Sequence, residues 1–159
     1  MPIFTVPFAD TGVNEAQELF SLTAPANSKL LIHEVRFGQR SDAGDAAAEL
    51  LTVTFTRGDT GAIAGGVAVT PVNLRPESAA PAAGATATRN STTLADGGST
   101  IWADVWNIQS PFLWLPPLKS APVVVAASQR FSVRITAPVD GLTTSGTLTF
   151  EEIGTRHDA

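Results

Sequence analysis

The chain of 159 residues contains no cysteine and no tyrosine. Without cysteine it forms no disulfide bond and supplies neither a thiolate ligand for zinc nor a cysteine nucleophile. Its length corresponds to one ordinary domain, large enough to bury a hydrophobic core but short for two. A disulfide scaffold, a thiolate metal site and a cysteine enzyme are therefore excluded.

Charged residues are scarce, at 16% of the chain against a typical value of about 25%. The ten lysines and arginines are scattered singly, and the net charge is −5. Binding to nucleic acid or to an anionic membrane surface requires clustered cations. We therefore expect neither nucleic acid nor a membrane among the partners.

Long hydrophobic runs are also missing. The longest clearly apolar stretch, residues 123–127, is far below the roughly 18 residues that a membrane-spanning helix needs. The first cation is Lys29, so the positively charged start of a secretory signal is missing too. We expect a soluble protein that is made in a cytoplasm.

The dominant pattern in the chain is an alternation with a period of two. In residues 49–57, Leu51, Val53 and Phe55 alternate with threonines, as expected for a half-buried strand. Turn residues separate many such short segments. The sequence predicts an all-β fold, an antiparallel β-sandwich that is jelly-roll-like and has long loops. Three further segments show the same alternation: residues 29–37, 129–137 and 147–153.

Residues with catalytic chemistry are few. His33 falls on the predicted apolar face of residues 29–37, so we interpret it as a core or near-core histidine with a local hydrogen bond. His157 lies at the C-terminal end. Glu151 and Glu152 are adjacent on a predicted strand and point to opposite faces, so they cannot act as a glycosidase pair. We predict no enzymatic activity, no catalytic residue and no cofactor.

Two further motifs receive structural interpretations. A helical turn would bring Asp42, Asp45 and Glu49 to one side, where they could hold Ca²⁺. Their order does not match an EF-hand, and acidic residues are favoured at a helix N-terminus without any metal. We therefore predict no metal site. Residues 57–59 spell the integrin-type tripeptide Arg-Gly-Asp, which we interpret as a turn after a strand.

Residues 101–117 hold all three tryptophans. Trp102 and Trp106 share one face of a predicted strand, and Phe112 and Trp114 share one face of the next. Three interpretations stay open: a sandwich core, the anchor of a protein interface, or a platform on which sugars stack. We take these four aromatic residues as candidate protein-interface residues.

The apolar residues at the N-terminus stand among prolines, which suit an edge strand or a free arm. Such an arm could add a strand to a neighbour's sheet. We predict that residues 1–13 form an N-terminal arm or edge strand, that residues 14–154 form a single β-sandwich domain, and that residues 155–159 form a C-terminal tail. The candidate interface residues of the arm are Ile3, Phe4, Val6 and Phe8.

The order of these motifs resembles a known family. An S-K-L-L-I-H-E-V-R-F strand is followed by E-L-L-T-V-T-F-T-R-G, a Gly-rich loop and V-T-P, then by W-N-I-Q, a P-P turn and a closing S-G-T-L-T-F-E-E-I-G. Over residues 17–154 the chain resembles small structural proteins of tailed bacteriophages, in particular capsid decoration (cement) proteins. The resemblance implies a β-rich, often trimeric protein on the outside of the shell, and it carries over no functional residue.

The resemblance implies a non-enzymatic virion protein that binds the outer capsid surface and stabilises the shell. Its expected partners are the major capsid protein and further copies of itself in a homotrimer, and it would be made in the host cytoplasm. We expect contacts from the N-terminal arm, from the aromatic stretch and from a Pro/Ala-rich loop at residues 74–88. The alternatives are a tail or head-fibre component that recognises the host, and a carbohydrate-binding β-sandwich module.

Overall fold

The computed structural model describes residues 2–42, 49–75, 82–118 and 121–154. Within these ranges the chain forms strands and no helix. The predicted helical turn after Asp42, the Pro-rich centre of the residue 74–88 loop and the C-terminal tail lie outside the described residues. The strands are β1 (Ile3–Val13), β2 (Gln17–Thr23), β3 (Ser28–Gln39), β4 (Leu50–Arg57), β5 (Val67–Val69), β6 (Val72–Asn73), β7 (Thr86–Ser91), β8 (Ser99–Asn107), β9 (Phe112–Trp114), β10 (Val123–Val125), β11 (Arg130–Ile135) and β12 (Leu142–Gly154).

The strands form two antiparallel sheets packed face to face. The first sheet has the order β10-β3-β12-β1-β6, with β9 also paired to β3, and the second has the order β5-β7-β2-β11-β4-β8. The predicted all-β antiparallel sandwich is confirmed, while its finer description as a jelly roll stays a prediction. Antiparallel strands alternate apolar and polar residues when one face is buried, which is the pattern that the sequence shows.

The core lies between the sheets and is rich in aromatic rings. Phe4 and Phe150 stack with ring centroids 5.5 Å apart. Phe55 on β4 meets Phe131 on the neighbouring strand at 5.5 Å and Trp114 on the opposite sheet at 5.2 Å. Such offset and edge-to-face contacts stabilise a core beyond the area they bury. The aromatic rings therefore join strands within one sheet and also hold the two sheets together.

The face predicted for His33 is wrong, because β3 contains a β-bulge. Glu34 pairs with Thr149 and Ile32 pairs with Phe150, which leaves His33 as an extra residue. An inserted residue reverses the alternation beyond it. His33 is only half-buried and lies 3.2 Å from the carboxylate of Glu151. The sequence does not reveal the bulge, because an inserted residue shows itself only in the pairing of β3 with β12.

The N-terminal segment is not a free arm. Strand β1 pairs along its length with β12 and buries apolar side chains in the common core. Among the described residues, β6 covers only Phe4 and Thr5 on its other side, so the rest of β1 lies at a sheet edge, as in the edge-strand alternative. The Ile3 carbonyl accepts from Leu74 N–H on that side. Because backbone groups alternate along a strand, Pro7 turns its nitrogen, which carries no hydrogen, to the open edge.

Strand β1 should therefore be required for folding. We expect Phe4→Ala to lower the free energy of unfolding by about 3–5 kcal/mol, as for other buried phenylalanines, because its side chain is only 1% exposed. Pro7→Ala, on the same strand but exposed, should lower it by less than about 1 kcal/mol, the cost of a more flexible unfolded chain. Urea unfolding followed by circular dichroism measures both. Equal, small effects of the two substitutions would show that β1 is dispensable.

Candidate interaction surface

Most of the predicted interface residues lie in the core. Six of the eight side chains are buried between the sheets and cannot reach a partner in the folded chain, so their assignment to an interface is corrected. The remaining two, Ile3 and Trp102, are partly exposed. The buried six are Phe4, Val6, Phe8, Trp106, Phe112 and Trp114.

The tryptophans do not form an exposed platform for sugars. The Trp106 ring meets Phe37 edge-on at 4.9 Å, and its indole N–H donates to the Ser110 carbonyl over 2.7 Å. The Trp114 ring packs against Phe55 in the core. Of the interpretations left open by the sequence, the core one applies to Trp106 and Trp114, and only Trp102 keeps part of its ring at the surface.

One long side of the sandwich is left open. Strand β8 forms the edge of the second sheet, and β9 and β10 lie end to end along the edge of the first sheet, both paired with β3. Trp102 on β8 contacts Trp114 on β9 with ring centroids 6.1 Å apart, so these edges face each other. We call this side, formed by β8, β9, β10 and residues 115–118, the open side.

On the open side, one backbone edge of β8 pairs with no other described strand, and several apolar side chains are exposed. Strand β8 has nine residues, whereas the strands at the opposite sheet edges, β5 and β6, have three and two. Short edge strands limit pairing with other chains, and long ones invite it. The Asp104 carboxylate accepts a hydrogen bond from the Val105 N–H over 2.7 Å. This removes one backbone donor of β8 from pairing with another chain. The exposed apolar residues here are Val105, Leu113, Leu115, Leu118 and Val124.

A cleft of about 360 Å³ runs between the two edges of the open side. It is lined by the rings of Trp102 and Trp114, by Pro117 and Pro122, by aliphatic side chains, and by Arg57. The Arg57 guanidinium donates to the Val124 carbonyl over 3.0 Å and so joins β4 to β10. The indole nitrogens of Trp102 and Trp114 are buried, and the described part of the chain offers them no hydrogen-bond partner.

Part of the outer face of the second sheet, by contrast, is covered by loops that bury an ion network. Arg134 on β11 lies 3.0 Å from a carboxylate oxygen of Glu18 and 3.2 Å from one of Asp59. Thr56 donates to Asp59 over 2.8 Å, and the Ala95 N–H donates to Glu18 over 2.9 Å. Both carboxylates are fully buried, so the arginine is needed to compensate their charge.

Glycine-rich loops cover this network. A Cβ atom on Gly98 would lie 1.5 Å from an oxygen of Asp59, and one on Gly61 would lie 2.5 Å from the Asp96 nitrogen. Only a residue without a side chain allows such close approach. Asp59 is 4% exposed, so the tripeptide at residues 57–59 does not present its carboxylate to a receptor, in agreement with its interpretation as a turn.

The acidic pair near the C-terminus is divided between the two faces of its sheet. Glu151 contacts His33 on the outer face, whereas Glu152 accepts from the N–H groups of Gly84 and Ala85 over 2.9 and 3.2 Å. The predicted opposition of the two carboxylates is confirmed.

In the described ranges, no three His, Cys, Asp or Glu side chains are grouped to hold a metal ion. The same ranges contain no helix that is long and apolar enough to span a membrane.

Comparison of the chain with protein-family models, with curated proteins and with solved structures finds no match.

Sequence reasoning missed the ion network and the cleft. The alternation over residues 129–137 puts Arg134 opposite Phe131, Val133 and Ile135, but neither of its acidic partners stands out in the sequence. Glu18 lies on a weakly patterned strand, and Asp59 was interpreted only as part of a turn. The one available signal was the density of glycine at residues 58–66 and 97–98, since glycine marks close approach of backbone to another group.

The ion network makes Arg134 important for stability. We expect Arg134→Met to lower the free energy of unfolding by about 3–5 kcal/mol, because it leaves buried carboxylates without a cation. Arg36→Met is the control, since Arg36 is exposed and lies 3.9 Å from Glu34; it should cost under about 1 kcal/mol. Urea unfolding at neutral pH measures both. Similar losses for the two variants would show that the network contributes nothing special.

The glycine cover generates a second prediction. Gly98→Ala should destabilise the protein by about 1–3 kcal/mol, the usual cost of forcing extra volume into a packed site. Gly12→Ala is the matched control, because nothing lies within 4 Å of the added methyl group, and its effect should stay within about 1 kcal/mol. Thermal unfolding of the two variants compares them. A Gly98 variant as stable as the Gly12 variant would contradict the close approach to Asp59.

Proposed function

We propose that this chain is a non-enzymatic structural protein of a tailed-bacteriophage virion, which binds the outer capsid surface and stabilises the shell. The observation that carries the proposal is the open side, where a nine-residue edge strand and exposed apolar side chains are accessible to another protein. The sequence resemblance to cement proteins supplies the virion context. The partners we propose are the major capsid protein and further copies of this chain in a homotrimer.

The architecture suits a protein that works by contact alone. The two sheets share one aromatic core, and an ion network ties the loops over the second sheet to β2 and β11. A rigid block of this kind loses little conformational freedom on binding, which favours affinity. The contact of a single copy with the capsid can be weak. The overall affinity still becomes high when the linked subunits of an oligomer bind the repeating capsid surface at the same time. The net charge of −5 favours solubility before assembly.

The proposed location can be tested by counting copies. Quantitative mass spectrometry of purified particles from the phage that encodes this chain should find it in a fixed, high ratio to the major capsid protein, and antibodies should label the shell. A few copies per particle with label at the tail would support the tail or head-fibre alternative. Absence from purified particles would overturn the virion assignment altogether.

Substitution of two valines on opposite edges of the second sheet tests whether the open side contacts the capsid. Val105 on β8 is 57% exposed and Val67 on β5 is 52% exposed. We expect Val105→Lys to weaken binding to capsids that lack this protein by about tenfold or more, because it places a charge in an apolar contact. Val67→Lys should bind like the unmodified chain. Co-sedimentation measures the affinity, and light scattering measures the oligomeric state of each variant.

Loss of binding in the Val67 variant, with normal binding in the Val105 variant, would place the capsid contact on the opposite side of the sandwich. Thermal unfolding of both variants should stay unchanged, since both side chains are exposed and lie on edge strands.

A further inference from the structure

We propose that Asp104 prevents β8 from pairing with the β8 strand of a second copy of this chain. The inference concerns contacts between copies, and it goes beyond the proposed function because it holds whether or not the chain belongs to a virion. It rests on the direction of the backbone groups along β8, on the position of Asp104 among them and on the length of this sheet edge.

The backbone of β8 turns alternate residues to the open edge. The Ile108 N–H donates to the Glu49 carbonyl on the β4 side over 3.2 Å, and the pairing with β4 is regular over residues 102–107. Because backbone groups alternate along an antiparallel strand, the N–H and carbonyl groups of Ala103 and Val105 point away from β4. Both residues are exposed, so another strand could reach these groups.

The regular part of this edge ends on either side of these two residues. A β-bulge leaves Ile101 without a partner on β4, and the Asn107 carbonyl accepts from the Ser110 N–H over 3.0 Å. A twofold axis is the commonest symmetry between identical chains. A second β8 related by such an axis uses all the outward groups when Ala103 of each copy lies opposite Val105 of the other.

Asp104 opposes this pairing in two ways. It lies between Ala103 and Val105, so the twofold axis would set the Asp104 residues of the two copies directly opposite each other, with Cα atoms about 4.5 Å apart. Like charges in that position destabilise a strand pair. The carboxylate also accepts from the Val105 N–H over 2.7 Å, which occupies a donor that the second strand needs.

The other sheet edges explain why β8 needs a protecting residue. Strands β5, β6, β9 and β10 have two or three residues, and short edge strands limit pairing by their length alone. The long uncovered part of β1 contains Pro7, which offers no N–H. Strand β8 has nine residues and no proline, and Asp104 is its one charged residue. A charge on the inward side of an edge strand is a known protection against edge-to-edge pairing.

The barrier applies to a twofold contact of β8 with itself. A trimer about a threefold axis joins two different patches of the surface, and a strand from another protein need not bring a carboxylate opposite Asp104. The residue therefore disfavours a second copy at this edge and leaves the edge accessible to a partner whose opposing side chain is not acidic.

Substitution of Asp104 tests the proposal in the full chain without capsids. Asp104→Val removes the charge and the acceptor, so we expect self-association at a concentration lower by about tenfold or more than for the unmodified chain. Asp104→Asn removes only the charge and should have a smaller effect of the same sign. Sedimentation equilibrium measures the association of each protein, and thermal unfolding shows that each variant is folded.

The matched control is Asp140→Val. Asp140 is also exposed, and it lies between β11 and β12, outside the strands. The control loses the same charge and gains the same apolar side chain, so it should associate like the unmodified chain. The comparison separates pairing of β8 from a general increase in surface hydrophobicity.

A second substitution shows whether the association uses the β8 backbone. Ala103→Pro, added to Asp104→Val, removes an outward N–H that the pairing needs and should return association to the level of the unmodified chain. In the associated Asp104→Val protein, the Ala103 N–H should exchange with solvent about tenfold more slowly than in the unmodified chain, as measured by NMR. If the double variant fails to fold, this exchange rate decides.

Two results would overturn the inference. One is an Asp104→Val protein that associates no more than the Asp140→Val control. The other is association that persists in the double variant or leaves the Ala103 N–H freely exchanging, because a contact elsewhere would then be responsible. Neither result bears on the proposed function, which the count of copies in purified particles decides.

Discussion

The packing of Phe55 between the two sheets is the contact on which the open side depends. Its ring meets Trp114 at 5.2 Å, Phe131 at 5.5 Å and Phe112 at 6.4 Å. Two of these rings belong to β9, which has only three residues and could not hold its position by backbone pairing alone. Because Phe55 lies on β4, next to the edge strand β8, the same contact fixes the separation of the two edges and so the width of the cleft between them.

A buried ion network organises part of the outer face of the second sheet. The outer face of the second sheet carries Glu18 and Arg134, and glycine-rich loops that approach without side chains bury them together with Asp59. Buried charges of this kind specify one arrangement of the loops, since any displaced loop would leave a carboxylate without its partner. This part of the outer face therefore serves to hold the loops and the sheet together.

Periodicity predicted the sandwich because alternation is a local property that each strand shows by itself. Leu51, Val53 and Phe55 are buried as expected. The same reasoning failed for His33, where one inserted residue changes the face and leaves no trace in the sequence. It also could not decide between core and interface for the tryptophans, because an alternating aromatic pattern only says that a face is apolar. Which face is covered depends on the pairing of distant strands, such as β8 with β4 and β9 with β3.

The first sheet ends at the open side in an edge that is divided between two short strands. Strands β9 and β10 have three residues each and both pair with β3, so neither extends along the whole edge. The facing edge of the second sheet is instead a single strand of nine residues, β8, which Trp106 anchors by packing against Phe37 of the first sheet. Long edge strands invite pairing with another chain, whereas short ones limit it. The two edges of the open side therefore differ, and β8 is the one whose backbone presents the longer row of hydrogen-bonding groups at the surface.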